Sequence, residues 1–208
     1  MAWTGLLGIG LFVVTIVGLH FLQLDLKPLD EAMSYYVHGS QGWLLTLGLI
    51  GLGVGSLAIT RALAKTVGGP GARSGTWLLG VWSVGVLLGG FFRADPPGHW
   101  NEAASLVGMI HENAALLAFA AFPVAALLLA RNFRRDRRWL PTAAVLSLLA
   151  VAAAVSLIAF IASLMPVFIR PGPPVLLGLS ERVLMAINAA WLTLVAVKLL
   201  KHGSGGAL

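Results

Sequence analysis

The sequence predicts an all-α fold, a polytopic six-transmembrane-helix bundle, and three observations carry that expectation. Hydrophobic residues make up 58% of the chain and charged residues only 11%, where soluble domains carry about 25% charged residues. Mean hydropathy is +0.89. A helix needs about 20 apolar residues to cross a hydrocarbon core of about 30 Å, and six such stretches lie between charge and Gly/Pro clusters.

The same composition excludes whole classes. The 208 residues include no cysteine, which removes disulfides and thiolate metal sites. A secreted scaffold and an ordinary cytosolic enzyme are excluded by the scarcity of charge. The net charge of +6 comes from bases beside apolar helices, where membrane orientation accounts for it, so no nucleic-acid partner is expected. No segment has the composition of a separable globular domain, and 1–208 reads as one integral membrane domain.

The first span runs from Trp3 to Leu24. It lacks the basic start and small-residue cleavage site of a secretory signal and reads as a mature helix. The loop KPLDEAMSYYVHGSQG follows, with Pro28 opening a short interfacial helix through Tyr35. The second span, Trp43 to Leu63, carries Gly48, Gly51, Gly53 and Gly55, small faces suited to packing within the chain or to a homo-oligomer. After the basic, Gly-rich KTVGGPGARSG comes a short third span, Gly75 to Phe92. The fourth, Ala104 to Ala130, holds His111, Glu112 and Asn113 about two turns inside its start. The arginine-rich RNFRRDRR leads to the fifth, Trp139 to Met165, whose Ser147, Ser156 and Ser163 are read as bonding back to helix carbonyls. The proline-rich MPVFIRPGPP precedes the sixth, Leu176 to Leu200. Glu181 and Arg182 in its first turns belong near the headgroups, because charges at the bilayer centre are expensive. Trp3, Trp43, Trp77, Trp100, Trp139 and Trp191 lie near span ends and read mostly as aromatic belts.

Charge placement sets the expected orientation. Arg61, Lys65, Arg73, Arg131, Arg134, Arg135, Arg137, Arg138, Lys198 and Lys201, ten of the 14 bases, share one side. The positive-inside rule puts that side and both termini in the cytoplasm of a cell's inner membrane. Seven of the eight acids, all but Asp136, fall in or near the other half. The outer end is therefore the acidic, histidine-bearing end, where membrane lipids or a small polar ligand would meet the chain.

Polar groups inside a membrane helix should face protein or a wet cavity, so an outward-opening pocket is expected. Gly108, His111 and Ala115 share one helical face, and Glu181, Met185, Asn188 and Trp191 share another. Ser34, Tyr36, Arg93, Asn113 and Arg182 are the candidate ligand contacts, with Arg93 or Arg182 suited to a phosphate or carbonyl oxygen. Asp95, Glu112 and Glu181 are the candidate catalytic acids. A zinc or other divalent site would draw on His38, Asp95, His99 and His111, but His111-Glu112 is followed by Ala115 where H-E-x-x-H needs histidine. Haem would need His20 and His111, and no second histidine pair lies within the spans. Interhelical pairing accounts for the same polar groups with no cofactor at all, and no cofactor is the primary expectation.

Several segments carry a resemblance. LDLKPLDEAMSYYVHGSQGWLLTLGLIGLGVGSLAI, GGFFRADPPGH with MIHENAALLAFAAFPVAALLLA, and GLSERVLMAINAAWL together resemble a bacterial and archaeal family of multi-helix membrane proteins, domain of unknown function 998. The match covers about Leu11 to Leu200 and rests on Ser34 and Tyr36, Asp95 and Pro96, His111, and Gly178 with Glu181 and Arg182. It implies a compact bundle of helices and no particular activity. A remoter similarity is to the membrane hydrolases of the alkaline ceramidase and progestin-receptor superfamily, which bind zinc through Ser-x3-His, an Asp and His-x3-His. Ser34 to His38 has the first spacing and Asp95 suits the second role, but His111 stands alone and the sixth span has no histidine. Three functional expectations follow: an outward pocket for a lipid headgroup or small polar ligand, a metal-dependent or carboxylate-based lipid hydrolase, or a non-catalytic partner subunit closed by pairs such as Arg182 with Asp95.

Overall fold

The computed structural model describes residues 1–98, 102–169 and 173–204. Its helices are α1 (Ala2–Leu22), α2 (Gly42–Thr66), α3 (Pro70–Phe91), α4 (Leu106–Phe133), α5 (Leu140–Ile169) and α6 (Leu177–Ser204), with a 3-10 helix at Met33–His38. All six α-helices are long and apolar enough to cross a membrane. Consecutive helices pack on one another, α6 closes the ring against α1, and α6 also touches α2.

Three boundaries differ from expectation for local reasons. The third span is not short, because Gly69 (φ +99°) makes a turn that L side chains rarely adopt and Pro70 starts the helix, giving 22 residues. Arg73 thus sits in the first turn of α3 rather than in a loop. Pro166 does not end the fifth span, which continues to Ile169. The short helix after α1 is a 3-10 helix that begins at Met33 and runs past Tyr35 to His38.

Lipid tails are as apolar as leucine, so helix contacts must come from close fit. Glycines supply that fit inside the chain. A Cβ on Gly8 would collide with the Gly51 carbonyl, one on Gly48 with the Thr15 side chain, and one on Gly53 with Leu87 of α3. The glycine faces of α2 that suggested a homo-oligomer are thus occupied by α1 and α3. Ser147, Ser156 and Ser163 bond back to the carbonyls of Ala143, Ala153 and Phe160, as expected.

The interior is an aromatic chain. Trp82 of α3 meets Phe122 of α4 edge-on at 4.9 Å, and Phe122 meets Trp191 of α6 at 5.7 Å. Phe133 stacks on Trp139 at 4.1 Å. Trp139 and Trp191 are therefore core residues, 1% and 0% exposed, and not belt residues. Trp191 reaches this position because its Nε1–H donates to the Leu146 carbonyl of α5 at 3.2 Å, which satisfies its polar edge away from water. Trp3, Trp43 and Trp77 do face outward, and Trp100 lies outside the described residues.

Gly8→Leu should separate α1 from α2 and cost about 1–3 kcal/mol, the usual range for overpacking. Gly10→Leu, on the same helix with nothing within 4 Å of its Cβ, should leave the melting temperature in detergent unchanged. Equal melting temperatures for the two variants would contradict the glycine-packed α1–α2 contact.

Candidate functional site

The first turns of α6 grip the segment after α1 from several sides. The Leu179 N–H donates to the Leu29 carbonyl at 3.0 Å. Glu181 Oε2 accepts from the Met33 N–H at 2.6 Å, capping the 3-10 helix. Gly178 lies so close under the Pro28 and Glu31 carbonyls that a Cβ would overlap both. Arg182 makes the largest set of bonds. Its Nε–H donates to His20 Nε2 at 2.9 Å, its Nη1 to the carbonyls of Glu31 and Gly178, both at 2.9 Å, and its Nη2 to the Tyr36 hydroxyl at 3.3 Å. Its guanidinium also lies 5.6 Å from the Tyr36 ring centre. His20 can accept there because its Nδ1–H is directed to the Ile16 carbonyl at 2.7 Å. Both nitrogens of His20 are thus engaged, and it acts as the interhelical hydrogen-bonding histidine.

A second clamp fixes the start of α4. Asp95 accepts from the Ser105 hydroxyl at 2.6 Å on Oδ1 and from the Ser105 N–H at 2.8 Å on Oδ2. Ser105 Oγ in turn accepts from the Gly108 N–H at 2.9 Å and is the N-cap of α4. A Cβ on Gly108 would overlap the Asp95 carboxylate, so the glycine makes room for it. The hydrogen bonds from Ser105 hold the Asp95 carboxyl below its ordinary 3.8. His111 ties α4 to α3: its Nδ1–H is shared between the carbonyls of Phe92 at 2.9 Å and Gly89 at 3.2 Å, which would otherwise lack partners at a helix end.

Between the clamps lies a cavity of about 690 Å³, within the usual range for small-molecule sites. Asp95, Glu102, Glu112 and Glu181 bring four carboxylates to its wall, with His111, Ser34, Tyr35 and Asn113. Leu116, Phe119, Phe160, Leu164 and Val167 supply an apolar side. A smaller cavity of about 40 Å³ continues inward and shares Ser34, His111, Ala115, Phe119 and Glu181 with the larger one. Burial, then the charges of Glu181, Glu112 and Glu31, raise the Tyr35 hydroxyl above its ordinary value, so it keeps its proton beside those acids.

Six of the candidate site residues read from the sequence line this cavity: Ser34, Asp95, His111, Glu112, Asn113 and Glu181. Tyr36 and Arg182 do not; they are bound to each other in the α6 clamp. Arg93 is exposed and does not line the wall. The anticipated Arg182–Asp95 pair is not formed, since Asp95 bonds Ser105 instead. The His38 Nε2–H donates to the Ala94 carbonyl at 2.9 Å. His99 and Arg170 lie outside the described residues.

The sequence-predicted zinc set does not converge. His38 has Nε2 on a carbonyl, both Asp95 oxygens hold Ser105, and His111 has only Nε2 left for the cavity. Among the described residues no three His, Asp or Glu groups are placed to hold a metal ion. Sequence reasoning did not reach Ser105, Phe119 and Phe160. Ser105 carried a readable signal, a capping residue directly before the apolar run LVGMI.

Fold and site define a polytopic membrane protein with an acidic, partly apolar cavity at one end. The family model described as "Protein of unknown function (DUF998)" matches residues 6–198, and the chain belongs to that family. No curated protein and no solved structure matches the chain. The similarity to ceramidases and progestin-type receptors therefore has no support from these comparisons.

Two outcomes test the clamps. Arg182→Lys retains the charge but has three donors on one nitrogen in place of a planar fork. It should lower the melting temperature by several degrees, since it cannot reach His20, Tyr36 and two carbonyls together. Asp95 is stabilised as carboxylate, so its contribution is present above about pH 4 and is lost as pH falls through its depressed folded value. The melting-temperature gap between wild type and Asp95→Asn should accordingly be full at pH 6 and close below pH 4; a gap independent of pH would contradict the cap.

Proposed function

We propose that this protein holds a lipid headgroup or small polar ligand in its acidic cavity, which opens to the outside of a cell's inner membrane, with both termini in the cytoplasm. The carrying observation is the cavity itself, whose volume of about 690 Å³ is walled by polar groups on one side and apolar groups on the other. An amphiphile needs such a wall, because a buried headgroup requires hydrogen-bond partners while its chain requires none. The orientation is supported by ten of the 14 bases lying at the opposite end.

Glu112 and Asn113 are exposed although they line the cavity, so a ligand has an entrance along α4. Asp95 and Glu181 are anchored by backbone and hydroxyl donors and would contact the ligand with little rearrangement. A carboxylate-based lipid hydrolase is the second reading. It is favoured by Glu181, whose Oε2 is fixed by Met33 while the side chain faces both cavities, together with the protonated Tyr35 hydroxyl beside it. In that reading Glu181 accepts a proton from water and Tyr35 donates a hydrogen bond to the developing oxyanion.

Native mass spectrometry of the purified chain carries the test. Wild type should retain one lipid or polar adduct, and Ala115→Trp, which fills the wall shared by the two cavities, should lose it while Gly10→Leu keeps it. Retention by Ala115→Trp equal to wild type would refute the cavity as the site. Adducts with the mass of a cleaved lipid, absent in Glu181→Gln, would select the hydrolase.

A further inference from the structure

We infer that the occupant of this cavity is a cationic amphiphile, an ammonium headgroup carrying an apolar chain. This rests on the cavity being a ligand site and adds the charge and shape of the ligand.

The carboxylates of Asp95, Glu112 and Glu181 reach the wall, and among the described lining residues there is no lysine or arginine. The nearest base in sequence to Glu181 is Arg182, and its guanidinium is directed to His20, Tyr36 and two carbonyls. Adjacent residues on a helix point about 100° apart, so the acid enters the cavity while the base leaves it. Glu112 stands six residues beyond the start of α4, about 9 Å along the axis, exposed and with no hydrogen bond or ion pair to another described residue. An unpaired carboxylate at that depth is costly, and a cation beside it removes the cost.

Two buried groups bring acceptor atoms to the wall. His111 is 8% exposed and lines the cavity, with its Nδ1–H committed to the carbonyls of Phe92 and Gly89, so Nε2 is the ring nitrogen that can accept. Glu181 is likewise 8% exposed, with Oε2 accepting from the Met33 N–H and its side chain lining the cavity. An ammonium with N–H groups would meet Oε1 and Nε2 as acceptors. Phe119 and Phe160 stand edge-to-face at 5.2 Å, and both line the wall. Their faces suit a quaternary ammonium as well as a hydrocarbon chain. Leu116, Leu164 and Val167 extend the apolar side, which gives the chain of an amphiphile somewhere to lie and gives a small free amine no such gain.

The purified full chain in neutral maltoside detergent is titrated with four probes: dodecyltrimethylammonium, dodecylamine, the anionic lauroyl sarcosinate, and tetramethylammonium. Retention is read by native mass spectrometry and by the shift in melting temperature. The two cationic amphiphiles are expected to bind one per chain, at least tenfold tighter than either sarcosinate or tetramethylammonium. Glu112→Gln should weaken them at least tenfold, and Asn113→Asp, which adds a carboxylate at an exposed wall position, should tighten them. Equal binding of sarcosinate, or no effect of Glu112→Gln and Asn113→Asp, would overturn the cationic headgroup while leaving the cavity as an amphiphile site. Tetramethylammonium binding as tightly as its dodecyl homologue would overturn the amphiphile. If Ala115→Trp leaves every probe unaffected, the cavity is not the site and both proposals fall.

Discussion

The arrangement depends on one guanidinium. Arg182 lies within a turn and a half of the start of α6, and among the described residues none of its N–H groups is bonded to a carboxylate. Four of its five N–H groups instead meet two carbonyls, an imidazole nitrogen and a phenol oxygen drawn from α1, the segment before the 3-10 helix, the 3-10 helix and α6 itself. Dispersing the charge over neutral acceptors leaves Glu181, one residue earlier, without its most obvious partner. Glu181 then caps the 3-10 helix and keeps an oxygen for the cavity. Had Arg182 paired with a neighbouring acid, α6 would be held less widely and the cavity would be less acidic.

The second anchor works in the same way. Asp95 is directed to Ser105 and the first turn of α4, so the loop after α3 is fixed to the next helix by an acid that needs no base. His111 closes the end of α3 from the side. Asp95 and His111 thus satisfy backbone groups that helix ends expose. The acidic character of the cavity follows from acids that cap backbone and hydroxyl groups in place of bonding bases.

Much of this was legible in the sequence, for a definite reason. Hydrophobic length measures depth, and depth fixed all six helices and put His111, Glu112 and Glu181 at one end. Periodicity added direction, and Glu181, Met185, Asn188 and Trp191 do face the interior together. Hydropathy does not say which neighbour a side chain meets. Trp139 and Trp191 have the depth of a belt, yet their rings are inside because Phe133 and the Leu146 carbonyl lie there to receive them. Tyr36 and Arg182 have the chemistry of a ligand site, but they satisfy one another, a pairing 146 residues apart that no local pattern encodes. The start of α3 was missed at Pro70, where the residue's role as a helix opener was hidden by a Gly-rich context.

The small inner cavity ends against packed rings. Past Phe119, which lines both cavities, lie Trp82, Phe122 and Trp191, each 0% exposed and in mutual edge contact through Phe122. The cavity wall at Phe119 is thus backed by rings that are already packed on one another. A change in the Phe119 ring position would therefore be felt at once by Trp82 and Phe160, which touch it from α3 and α5.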